Sequence, residues 1–151
     1  MAIERYFCAC RRFTSGFYPD AISHAWAACE LALEKHAKDI GVLRQGKKFT
    51  AKELIDRLRK SHSLLNVACS HVPNKCPLLD ALDWLREKGN QVIHGVQPVN
   101  SQLAQHAIII AETLLKKLGC KQQMLSCPLR PELVQKQLLR LIQVMRDSLW
   151  Q

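Results

Sequence analysis

Apolar residues recur at three- and four-residue spacing along nearly the whole chain, and two-residue alternation is almost missing. That period belongs to helices that each bury one face. Residues 2–13 predict a short first helix, with Ile3, Phe7 and Cys10 on one side and a break at Ser15-Gly16-Phe17-Tyr18-Pro19. A long helix should follow over about residues 19–40. Proline is tolerated at its start, and Gly41 reads as its stop. Ile22, Trp26, Cys29, Leu33 and Ala37 make its inner stripe. Thr50-Ala51-Lys52-Glu53 is a capping box, a strong helix-start signal. The helix it opens carries Leu54, Ile55 and Leu58 inward and Arg57, Arg59 and Lys60 outward, and should end near Leu65 or Ala68.

Residues 66–77 read as a loop with Pro73-Asn74 as a turn. A fourth helix should span 77–94, with Leu82, Leu85, Val92 and Ile93 serving the core. Asn100 can cap a fifth helix over 101–118, rich in Ile108, Ile109, Ile110, Leu114 and Leu115 and stopped by Gly119. A connector at 126–131 leads to a last amphipathic helix over 131–150. The expected fold is all-α: an up-and-down bundle of four to five helices within 1–125. The C-terminal helix within 126–151 either packs on the bundle or docks a protein partner.

Composition narrows the partners. The chain has 151 residues, 48% of them hydrophobic, enough for one domain with a real core. Lys and Arg outnumber Asp and Glu by 22 to 13, a formal charge of +9, which favours a polyanion and nucleic acid first. No apolar leader follows the N-terminus, and no apolar run is long enough to span a bilayer, so a soluble cytoplasmic protein without a membrane role is expected. Seven scattered cysteines fit reduced thiols. Cys69, His71 and Cys76 offer three ligands but no evident fourth, so no metal and no cofactor is expected. Trp26 and Trp84 fall on apolar stripes and read as core aromatics.

The candidate chemistry sits on the fourth helix. Arg86, Asn90 and His94 lie four residues apart. At about 100° per residue they form one slightly slanted stripe, drifting about 40° per step. An Arg to hold an anion, an amide to position it and a His to move a proton suit a phosphodiester. Gly89 and Asn90, both poor helix formers, interrupt this helix in its middle. Arg44, Lys47, Lys48 and Lys88 are the candidate phosphate contacts. The competing reading is structural: solvated charges, and a His94 ring that caps the helix end.

Leu85-Arg86-Glu87-Lys88-Gly89-Asn90-Gln91-Val92-Ile93-His94, with Ala27-Ala28-Cys29-Glu30-Leu31-Ala32-Leu33-Glu34 and Leu54-Ile55-Asp56-Arg57-Leu58 before it, resembles the HEPN superfamily of all-helical domains. The likeness spans roughly residues 18–118 and is nearest to a branch of unknown function with the pattern Leu-Arg-x-x-Gly-Asn-x-x-x-His. It implies RNA as partner and a homodimer in which two motif helices meet, in defence, toxin–antitoxin or RNA-processing systems. It also implies two further roles. One is metal-independent endoribonuclease action by His94 with Asn90 and with Arg86 or a partner's Arg. The other is service as a non-catalytic interaction subunit. The chain departs from the nuclease pattern by carrying Gly89 where an Arg is usual. Its own Arg86 lies eight positions before His94, about 12 Å along a helix. Lys88, nearer in sequence, sits toward the opposite face. Binding is therefore the leading expectation.

Overall fold

The computed structural model describes residues 1–44, 46–61, 78–95 and 98–120. Among these the backbone forms five α-helices and no strand: α1 (Ala2–Thr14), α2 (Tyr18–Asp39), α3 (Ala51–Ser61), α4 (Leu78–Ile93) and α5 (Ser101–Lys117). The protein is an all-α helical bundle, as the periodicity predicts. The C-terminal helix expected over 131–150, the end of the third helix beyond 61 and the Cys69/His71/Cys76 group lie outside the described residues.

α2 packs against each of the other four helices. It can do so because it buries Ala21, Ala25, Ala28, Ala32 and Ala37 among larger residues, and small side chains let neighbouring helices approach. All five residues of the expected inner stripe, Ile22, Trp26, Cys29, Leu33 and Ala37, are buried. Burial pushes the Cys29 thiol up, well above its ordinary range, so it is a packing group at neutral pH. The turn at 15–17 folds α1 back along α2, where Phe13 and Tyr18 meet ring to ring at 5.7 Å. The buried face of α1 is Tyr6, Ala9, Cys10 and Phe13, so the expected Ile3/Phe7/Cys10 side is rotated from the observed one. Ile3 and Phe7 are half-buried at its border.

Local signals set the helix ends. The Thr50 backbone N–H donates to Glu53 Oε2 at 2.8 Å, and the Glu53 N–H donates back to Thr50 Oγ1 at 3.3 Å. This reciprocal pair satisfies two amides that lack partners within the helix. It also holds the Glu53 carboxyl below its ordinary pKa, the Thr50 backbone hydrogen bond being the main cause. Asn100 Oδ1 accepts from the Leu103 N–H at 2.9 Å and caps α5. α3 turns Leu54, Ile55 and Leu58 inward and leaves Arg57, Arg59 and Lys60 outside, and Arg59 pairs with Asp80 at the start of α4. That ion pair and the packing of α4 on α2 and α3 fix where α4 lies. Among the described residues no helix is long and apolar enough to cross a membrane.

Candidate functional site

The buried face of α4 is Leu78, Leu79, Ala81, Leu82, Leu85 and Gly89, at helical spacing. Arg86 follows Leu85 by one position and so stands at the border of that face. Each further step of four moves about 40° toward solvent. The structure follows this geometry: the Arg86 side chain is only 16% exposed, while Asn90 and His94 are exposed. Arg86 is also occupied. Its Nε donates to Asp83 Oδ1 at 2.9 Å, and its Nη2 lies 3.7 Å from Glu87 Oε1. Two carboxylates of its own helix thus compensate its charge.

His94 lies just past the helix rather than within it. Its N–H donates to the Asn90 carbonyl at 3.1 Å, and Gly95, at φ +67°, donates to the Val92 carbonyl at 3.1 Å. A left-handed glycine there ends the helix by backbone geometry alone. The imidazole has no hydrogen-bond partner among the described residues, so capping by the ring is not realised. Ile93, expected in the core, is 65% exposed beside Asn90 and His94.

Gly89 is a packing position. A Cβ there would meet Trp26 Cβ, Cγ and Cδ1 at 3.5 Å. The place where the HEPN pattern carries its usual Arg therefore faces the buried Trp26 of α2, not the Asn90/His94 edge. Trp84 is half-buried rather than fully in the core, with its ring 6.4 Å from His106 on α5. Lys88 leans over that indole, its Nζ 6.0 Å from the ring centroid and 3.4 Å from Gln91 Oε1. Its aliphatic stem and charge are engaged by its own helix.

The other predicted cations lie elsewhere. Arg44, Lys47 and Lys48 rim a cavity of about 470 Å³ between the segment joining α2 to α3 and the outer side of α2. Its opposite wall is the stripe Glu30, Glu34 and Lys38, again four residues apart, and Leu43, Phe49 and Leu54 supply apolar surface. Lys38 is tied to Glu34 at 2.6 Å. Arg44, Lys47 and Lys48 have no carboxylate partner among the described residues. The nearest acidic groups in sequence are committed, Asp39 to Lys35 at 3.0 Å and Glu53 to the capping box. No residue of α4 lines this cavity, so the structure does not bring Arg86, Asn90 and His94 together with Arg44, Lys47 and Lys48 in one pocket.

A second basic recess, of about 380 Å³, gathers Arg11 and Arg12, which in sequence read as solvated charges first and phosphate contacts second. Cys8, Arg11, Arg12 and Ser15 of the first hairpin line it with His24 of α2. Arg11 Nη2 donates to Cys8 Sγ at 3.8 Å. Burial, then the Arg5 and Arg12 charges, pull the His24 pKa below its ordinary 6.5, and Asp20 opposes them. The spacing Cys8-Arg11-Arg12-Ser15 puts the first three on one side of α1 and the fourth at its C-cap, below the same side. No protein-family model, curated protein or solved structure matches the chain.

Proposed function

We propose that this chain is an RNA-binding helical module of the HEPN-like type, working as a homodimer, in which binding rather than cleavage is the main activity. One observation carries the reading. Arg44, Lys47 and Lys48 stand exposed around a concave cavity and form no ion pair among the described residues, in a chain of net charge +9. Cations left unpaired on a rim attract phosphates and release their counterions on contact. Arg86 supports the same side of the choice, because its guanidinium is already held by Asp83 and Glu87. Titration of a labelled single-stranded RNA at rising salt tests it. Affinity should fall steeply with salt, and the Arg44→Ala/Lys47→Ala/Lys48→Ala protein should lose about two units of the log–log slope. Affinity insensitive to salt would sink the reading.

A second reading rests on the exposed Asn90–Ile93–His94 edge. Ile93 gives that edge an apolar centre for a two-fold contact, and a partner protomer would supply the Arg that this chain's own α4 does not free. The chain is then a metal-independent endoribonuclease using His94 for proton transfer. Cleavage in EDTA by the wild type and not by His94→Ala would establish it. Intact RNA retained by both proteins would leave the binding module.

A further inference from the structure

The cavity beneath Arg44, Lys47 and Lys48 has a composition that a general phosphate-binding surface does not need. A duplex presents its phosphates on a broad convex cylinder, which a flat or ridged row of cations meets best. Here the cations surround a hollow of about 470 Å³, within the usual size range of small-molecule sites of about 300–1,000 Å³. A hollow of that size suits one extruded nucleotide better than a duplex. Phe49 lines it, and Arg57, which does not line it, stands 4.1 Å from the Phe49 ring centroid. The guanidinium thus braces the ring from outside the cavity, and an aromatic face in a basic groove is what an unstacked base settles on.

Glu30 completes the set. It is exposed in the cavity wall, and no cation pairs with it among the described residues, whereas its neighbour Glu34 is bound to Lys38. A free carboxylate opposite three free cations gives the cavity a direction. Phosphate must lie on the loop side and hydrogen-bond donors on the α2 side. Guanine offers a carboxylate two adjacent donors, N1–H and the N2 amino group. Adenine and cytosine offer one amino group each, and the single N–H of uracil is flanked by repelling carbonyls.

We propose that this cavity binds one unpaired guanine nucleotide of a single-stranded RNA, with Glu30 accepting from N1–H and N2–H, Phe49 under the base, and Arg44, Lys47 and Lys48 on the flanking phosphates. The proposal rests on the RNA-binding reading and adds strand state, base identity and the residue that reads it. The test uses the full chain and fluorescence polarisation of short uridine-rich RNAs carrying one central guanosine or one central adenosine, single-stranded or annealed to a complement. The guanosine strand should bind about tenfold more tightly than its adenosine twin, and annealing should remove that advantage. Glu30→Gln, an exposed substitution on a helix, should bring the two strands to within about twofold of each other, because the carboxylate that accepts both guanine donors is gone. Lys47→Ala/Lys48→Ala should weaken both strands alike. Equal binding of the two strands by the wild type, or preference for the duplex, would overturn this proposal and leave RNA binding standing. No binding of any RNA would overturn both.

Discussion

Two basic regions of this molecule have similar sequence credentials and different fates. In the middle of α4, Arg86 sits three residues after Asp83 and one before Glu87, and both carboxylates engage it. Around the α2–α3 segment, the acidic residues nearest in sequence to Arg44, Lys47 and Lys48 are committed elsewhere, and among the described residues these cations form no ion pair around their cavity. A cation on a helix is answerable to whatever lies one turn away, because i, i+3 and i, i+4 side chains meet. A cation in a connecting segment is not. The lesson is that availability, not charge, marks a binding residue, and that it is partly legible from the acidic residues nearby.

The contrast can be broken most directly by removing each region's cations and measuring the proposed RNA binding. Replacing Arg44, Lys47 and Lys48 by Ala should cost on the order of tenfold or more in affinity at moderate salt, while Arg86→Ala should change affinity less than about twofold. Arg86→Ala should instead lower thermal stability, because it leaves the half-buried Asp83 without its donor and strips packing from the α4 border. If Arg86→Ala abolishes RNA binding at an unchanged Tm, the comparison fails. Gly89 sharpens it next. Gly89→Arg, which would place an Arg where the HEPN pattern usually has one, should destabilise by about 1–3 kcal/mol through overpacking on Trp26, and should confer no cleavage. Gly89→Ala should stabilise by about 0.5–1 kcal/mol, since its Cβ meets Trp26 only at ordinary contact distance. Urea melts of both variants decide the matter.

Smaller effects test the frame of the cavity. Thr50→Ala should cost about 1 kcal/mol by removing the cap that holds the start of α3 under the basic rim, and should weaken RNA binding only slightly. pH should act through His24. Its folded pKa lies below the unfolded 6.5, so the unfolded chain takes up the proton first. Stability is therefore complete above about pH 6.5 and is lost progressively as pH falls from there toward the folded value. The Tm of the wild type should drop over that window, and His24→Gln should flatten the drop. An identical slope in both proteins would assign the acid sensitivity to other groups.

What the sequence disclosed was local. The α2 stripe, the Thr50–Glu53 box and the Asn100 cap each depend on residues within one or two turns, and all three are present as read. The slant of Arg86, Asn90 and His94 was also legible, because it follows from helix geometry alone. Ile93 was misplaced because a stripe rule treats a helix as covered along its full length, whereas the last turn of α4 leaves this side chain 65% exposed. Gly89 looked like a functional interruption because its partner, Trp26, is 63 positions away and no period reveals it. The cavity was hidden for the same reason. Its cations are legible individually, but the placement of residues 43–44 and 46–49 over Glu30 and Glu34 is a tertiary event that spacing does not encode. The likeness to HEPN domains remains a resemblance of motif and helix order.

Among the described residues α2 touches all four other helices, and it forms one wall of the cavity. A helix in that position cannot open by itself: exposing its amides means separating α1, α3, α4 and α5 from it together. Any ligand held against Glu30 therefore resists the global opening of the bundle rather than a local fluctuation. Amide exchange would register occupancy as slowed labelling in helices far from the ligand, such as α1 and α5, by the same free-energy increment as in α2. The protein would report what fills its one-sided pocket through the rigidity of the entire fold.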